Sequence, residues 1–200
     1  MKRILFLALL LSACVGGVRN QPPVTVYDFG LPAARLTGDG QWSKLALEVR
    51  SPSWFDSLNV DYRLAYEDPL KQREYAGSRW AGTPASLLLL RLRQQLGAVS
   101  VGGNTAASCV LRIEMQEFSQ VFDSSEKSRG VLQAGVSVID GKRQVVAAQQ
   151  MTIEKAAATP DAPGGVKALA EASDELGRRL ADWLDTLAKA GGAKNCLGPT

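Results

Sequence analysis

Leu11-Ser12-Ala13-Cys14 closes an apolar run, Ile4 to Leu11, that itself follows Met1-Lys2-Arg3. A positive start, an apolar stretch too short to span a bilayer stably, and small residues that let a peptidase reach the backbone ahead of a cysteine read together as a bacterial lipoprotein signal over residues 1–13. An ordinary secretory signal with Cys14 incidental, or a short buried helix, needs no such coincidence of residue types. On this reading the mature chain begins at Cys14, acylated on its thiol and its amine. Three acyl chains, at about 0.8 kcal/mol per buried methylene, make an anchor that is effectively permanent. Whatever folds here must therefore fold on a membrane face, outside the cytoplasm.

Val15 follows the lipidated cysteine, and no Asp does. By likeness to lipoprotein sorting in enteric bacteria this favours the periplasmic face of the outer membrane over the inner one. Val15 to Pro23 has no periodicity and reads as a tether, which reaches at most about 30 Å when extended. A single periplasmic domain is expected over 24–200. The full chain carries 23 Lys+Arg against 20 Asp+Glu, but Lys2 and Arg3 leave with the signal, so the mature balance is 21 against 20. No broad cationic field remains to attract nucleic acid or an anionic surface. Cys109 and Cys196 are left once Cys14 is committed to lipid, and an even pair in an oxidising compartment is expected to form a disulfide; two unrelated thiols, with Cys109 buried in a strand, are the other reading.

Period-two alternation begins at Val24 and gives two short strands, around Val26-Tyr27 and over Leu45, Leu47 and Val49, separated by the turn-rich Gly38-Asp39-Gly40. Leu58, Val60, Tyr62, Leu64 and Tyr66 then fall on one face with Asn59, Asp61, Arg63 and Glu67 on the other, and Asp68-Pro69 breaks before a return strand, Arg73 to Trp80. Thr83-Pro84 starts a helix, threonine as N-cap and proline at the first helical position; Leu88, Leu89, Leu92 and Leu96 form its buried stripe, Arg91, Arg93, Gln94 and Gln95 lie outside, and Gly97 stops it. Three strands follow, Cys109 to Phe122, Val131 to Ile139 and Val145 to Ile153, with a bulge at Glu117 and a hairpin turn at Asp140-Gly141-Lys142-Arg143. A final helix from about Gly165 to Ala190 is roughly 37 Å long. Its stripe runs through Val166, Leu169, Leu176, Leu180, Leu184 and Leu187, and Gly177 allows close approach.

The chain contains no histidine, which excludes imidazole-based triads and the commonest metal ligand. Ser124-x-x-Lys127 has the spacing of some serine enzymes, but it lies in a polar loop without their companion motifs. The carboxylate pairs Glu114/Glu117 and Asp182/Asp185 read as solvated surface charge, and Gly102-Gly103-Asn104 as a turn. No catalytic residue, cofactor or metal is expected. Trp54-Phe55, in a loop after Pro52, either caps the core or offers a contact to a partner or a lipid headgroup.

These residues taken together resemble the ABC-type transport auxiliary lipoproteins, the PqiC-like group that accompanies MCE-type lipid transport systems. The likeness rests on the lipobox, the Val24 to Leu31 opening, Glu48-Val49-Arg50-Ser51-Pro52 before an aromatic loop, Arg79-Trp80-Ala81-Gly82-Thr83-Pro84 leading into the Leu-rich helix, the Val136 to Gly141 hairpin and the long last helix. Val26-Tyr27-Asp28-Phe29 departs from the Tyr-Tyr pair of many members. The resemblance implies an α/β fold, a mixed and largely antiparallel sheet in a three-layer sandwich, and a non-catalytic outer-membrane component that meets a periplasmic MCE protein while a permease and an ATPase supply energy. Trp54 and Phe55, as two large aromatics in a loop, are the residues expected to make that contact. A generic envelope-assembly lipoprotein and a lipid-binding carrier are the alternatives, and a homo-oligomer is left open.

Overall fold

A computed structural model describes residues 23–31, 34–100 and 107–197. The signal, Cys14 and Gly102-Gly103-Asn104 lie outside the described residues. Eight strands form one mixed sheet: β1 Thr25–Tyr27, β2 Leu45–Arg50, β3 Asn59–Leu64, β4 Gln72–Trp80, β5 Val99–Ser100, β6 Cys109–Ser124, β7 Lys127–Ile139 and β8 Val145–Ala156. Two helices, α1 Pro84–Leu96 and α2 Ala162–Lys189, complete it.

β6 organises the sheet because it is long enough to serve several partners. One edge runs antiparallel to β7 for its whole length, and β7 pairs in the same sense with β8. Its other edge takes β2 in parallel along the first half, Leu45 opposite Cys109, and β3 in parallel along the second, Tyr62 opposite Gln120. Between the ends of β2 and β3 the chain loops out, carrying Trp54. The bulge expected at Glu117 is present as a register shift between Met115 and Glu117. It lets Phe118 return to the buried face, where it packs with Trp80 and Phe29 at 5.7 and 6.0 Å between ring centres.

Local chemistry sets the helix ends. Thr83 accepts from the Ser86 amide, Pro84 opens the first turn, and Gly97 closes α1 with φ +63°. Asp161 caps α2 by accepting from the Gly164 amide at 2.9 Å. The helix begins a few residues before Gly165 because this cap, and not the first leucine of the stripe, fixes its start.

The mixed sheet, the mid-chain helix and the long last helix agree with expectation. The layering is simpler than the resemblance implied: α1 and α2 pack side by side on one face of the sheet. Leu88, Leu92 and Leu96 share one core with Leu176, Leu180, Leu184, Leu111 and Ile113, and Arg91 of α1 pairs with Asp174 of α2. The other face presents Arg112, Glu114 and Gln116, polar residues that no apolar layer could cover without stranding them. At Gly130 of β7 a Cβ would come within 2.8 Å of the α2 backbone at Ala168 and Leu169. Only glycine permits that seating.

Candidate functional site

The two aromatics of the Trp54-Phe55 loop part company. The chain makes a 3-10 turn over Ser53–Phe55, fixed by Phe55 N donating to Pro52 O at 2.9 Å and Asp56 N to Ser53 O at 3.2 Å. Successive side chains on so tight a turn diverge by about 120°. Phe55 is driven inward and is 3% exposed, whereas Trp54 stands 71% exposed. The pair is therefore not one contact surface: Phe55 anchors the loop, and of the two only Trp54 faces solvent.

Trp54 borders a shallow depression of about 250 Å³ lined also by Ser57, Asn59, Asp61, Gln72, Arg73 and Glu74. β3 and β4 supply most of this floor. A register irregularity between Asn59 and Asp61 accompanies the burial of Asp61, which was expected on a solvated face but is only 8% exposed. Burial pushes its carboxyl up to about 6; Glu74 and Glu117 add to that, while Gln72 and Arg63 oppose it. Around it Asn59 donates to Glu74, Arg63 Nε to Glu117 at 3.2 Å and Arg63 Nη2 to Gln72 at 3.3 Å. Arg73 is drawn aside to Glu67 at 2.7 Å. The floor is thus an aromatic edge beside a compact set of carboxylates and guanidiniums, suited to a polar protein contact with one aromatic anchor.

Ser124 and Lys127 flank the exposed β6–β7 turn. Glu114 is exposed, Glu117 is tied to Arg63, and Asp185 accepts from Gln41 Nε2 at 2.9 Å. Among the described residues no group of three metal-binding side chains is brought together. The structure joins Cys109, at the start of β6, to Cys196, in the 3-10 turn Lys194–Cys196, with Cα atoms 5.3 Å apart. The disulfide holds the C-terminal segment against the end of the sheet.

One polar constellation differs from the sequence reading. Arg91 and Gln95, expected on the solvent side of α1, are buried against α2. Arg91 meets Asp174 through two hydrogen bonds at 2.6 and 2.8 Å and donates to Leu31 O, and Gln95 Nε2 donates to Asp174 at 2.9 Å. The carboxylate holds Arg91 above its ordinary value against the cost of burial. Gly177, one turn on, gives Gln95 its room, since a Cβ there would meet its Oε1 at 2.0 Å. The signal was present as the i, i+4 spacing of Arg91 and Gln95 flanking Leu88 and Leu92, which continues the buried stripe.

Comparison with solved structures places the fold among known ones. A Xanthomonas campestris protein of the DUF330 family superposes with a TM-score of 0.67 at 17% identity, covering 84% of this chain and 98% of its own. An uncharacterized protein gives 0.62 at 16% identity, covering 80% and 97%. No match is found among the curated proteins. At the level of sequence, the model of the ABC-type transport auxiliary lipoprotein component matches residues 27–181, from the end of β1 through most of α2. The match spans β2 to β8, all of α1 and most of α2, and the chain belongs to the family of ABC-type transport auxiliary lipoprotein components.

Proposed function

We propose that this chain is the outer-membrane-anchored, non-catalytic docking component of an MCE-type lipid transport system, held by Cys14 and meeting the periplasmic MCE protein through the Trp54 surface. The observation that carries the reading is the family match across nearly the whole folded body, in a chain whose first residues have lipoprotein-signal chemistry. A body tethered within about 30 Å of its membrane cannot shuttle across the periplasm, so it acts by holding something that reaches it. Large buried side chains, Trp42, Trp80 and Phe118 among them, fill the described core. That favours a scaffold over a lipid carrier with its own cavity.

The test uses the full chain in cells. A photocrosslinker at Ser57, beside Trp54, should trap a periplasmic MCE-type protein, and Trp54→Ala should reduce that product several-fold while moving stability by no more than about 0.5 kcal/mol, as an exposed substitution does. Phe55→Ala should instead cost about 3–5 kcal/mol by leaving a cavity. Capture of an outer-membrane protein and no MCE protein would hand the function to envelope assembly. Phospholipid carried by the detergent-free domain would hand it to lipid binding.

A further inference from the structure

At the end of the sheet that the disulfide closes, separate pieces of chain meet around a hollow of about 430 Å³: Lys44 where β2 begins, Ser108 where β6 begins, the β7–β8 turn at Asp140 and Lys142, and Lys194-Asn195 of the last 3-10 turn. Each wall has its own tie. Ser108 N and Cys109 N donate to Lys44 O at 2.9 and 3.2 Å. One carboxylate oxygen of Asp140 accepts from the amides of Lys142 and Gln144, both at 2.9 Å. A Cβ on Gly141 would come within 3.2 Å of Ser108 O, so the turn closes directly on the start of β6. Cys196 is bonded to Cys109 and brings Lys194-Asn195 to the same place.

Three lysines thereby share one hollow. Every ion pair among the described residues uses an arginine or Lys155, and Lys44, Lys142 and Lys194 form none. Asp140 is the one carboxylate of the lining and is engaged by its own turn, so three lysines against one carboxylate leave a surplus of two positive charges. Like charges gathered without a counter-ion raise the free energy of the fold, and an anion relieves them. The donors set its class. A carboxylate is planar and is matched by the fork of an arginine, whereas an ammonium is a compact point charge with three rotatable donors. No arginine lines this hollow, while the Ser108 hydroxyl and the Asn195 amide add neutral donors. Such a set suits a tetrahedral oxyanion that accepts from several directions, and a phosphomonoester carries about −1.5 to −2 at pH 7, which matches the surplus. We propose that this hollow binds a phosphate-bearing anion between Lys44, Lys142 and Lys194, and that the Cys109–Cys196 disulfide assembles it. The site is separate from the Trp54 surface and does not depend on what binds there. A free phosphate compound and a lipid headgroup both offer this chemistry.

Amine footprinting tests the site and tells the two sources apart. Full-length protein, in neutral detergent or in phosphatidylcholine vesicles with or without phosphatidic acid, is briefly acetylated, and mass spectrometry reads each lysine against Lys71 of the exposed β3–β4 turn. In detergent, inorganic phosphate should slow labelling of Lys44, Lys142 and Lys194 about threefold relative to Lys71, and chloride at the same ionic strength should not. Lys142→Gln, a change in an exposed turn, should raise the phosphate concentration that half-protects Lys44 and Lys194 about tenfold, as loss of a charge-assisted hydrogen bond does. Protection by phosphate in detergent with none from phosphatidic acid assigns the site to a free phosphate compound; protection by phosphatidic acid with no phosphate added assigns it to a headgroup. Labelling of the three lysines that follows Lys71 under every condition would overturn the proposal. Stronger protection by a glutamate-rich peptide than by phosphate at equal charge would also overturn it, in favour of an acidic protein segment.

Discussion

Along β6, Cys109, Leu111, Ile113 and Met115 lie buried beneath the helices, while Arg112, Glu114 and Gln116, each one residue away, face the opposite side. The two faces of the sheet are held by different physics. On the helix side, burial of aliphatic and aromatic surface at about 25 cal/mol per Å² sets the scale, and every polar group must find a partner in place of water. On the open side Glu48 bridges Arg50 and Arg112 at 2.7 and 2.8 Å, and Gln150 donates to Gln116 at 2.6 Å. Those pairs keep contact with solvent and contribute about 0–1 kcal/mol each. The comparison teaches that one face carries stability and the other is free to carry recognition, since its residues can change partner at little cost to the fold.

The strongest way to test that division is to cut the covalent tie at the edge of the buried face. Cys109 and Cys196 are 87 residues apart in sequence, and closing a loop of that size restrains the unfolded chain by about 4–5 kcal/mol. The double variant Cys109→Ser/Cys196→Ser should lose stability on that scale in chemical denaturation, and wild-type protein denatured without reductant should offer no thiol to alkylation at either position. Two labelled cysteines, or an unchanged midpoint, would mean that packing alone holds the C-terminal segment.

Next in size is the ion pair between the helices. Asp174→Ala should cost about 3–4 kcal/mol, because it leaves the Arg91 guanidinium buried and uncompensated. Arg91→Met combined with Asp174→Leu should recover most of that loss, since apolar groups of similar volume suit a dry seam. A comparable single change on the open face, Arg112→Ala, should stay within about 1 kcal/mol. If the Asp174 and Arg112 variants cost the same, the contrast between the faces fails.

The same contrast marks what could be read from the chain. Thr83-Pro84 and Gly97 were legible because capping is local, and so was the Asp140 turn, where one carboxylate accepts from the amides of Lys142 and Gln144 at 2.9 Å. The hydrophobic periods placed β6, β7 and α2 because each turns a long apolar face inward, whereas in β8 only Met151 and Ile153 are buried. Arg91 and Gln95 were assigned to solvent because they are polar, although their spacing continues the Leu88–Leu92 stripe; the carboxylate that meets them on the facing helix is what the helical period could not report. The side-by-side parallel pairing of β2 and β3 on one edge of β6 depends on contacts far apart in sequence, which no local pattern encodes. At Trp54-Phe55 composition marked the loop, but only the 3-10 turn decided which ring goes inside.

An effect smaller than that of the ion pair has the opposite sign and lies at the border of the two faces. Asp61 belongs by alternation to the polar side, yet it is buried, and its carboxyl rises from an ordinary 3.8 to about 6 through burial, with Glu74 and Glu117 adding to the shift. A carboxyl raised by folding favours the folded state while it is protonated: the contribution is full below pH 3.8, fades as the pH passes through 6, and leaves a buried charge above it. Asp61→Asn removes that charge and keeps the shape, so at pH 8 it should raise stability by about 1–2 kcal/mol, a part of the 1.36 kcal/mol per unit that the shift represents once neighbouring solvent responds. Below pH 4 the variant and the wild type should coincide. Denaturation midpoints of both proteins from pH 4 to 8 measure the divergence. A variant less stable at pH 8 would mean that Arg63 and Gln72 hold the ionised carboxylate well enough to repay its burial, which would return Asp61 to the open face's network and move the border inward by one strand position.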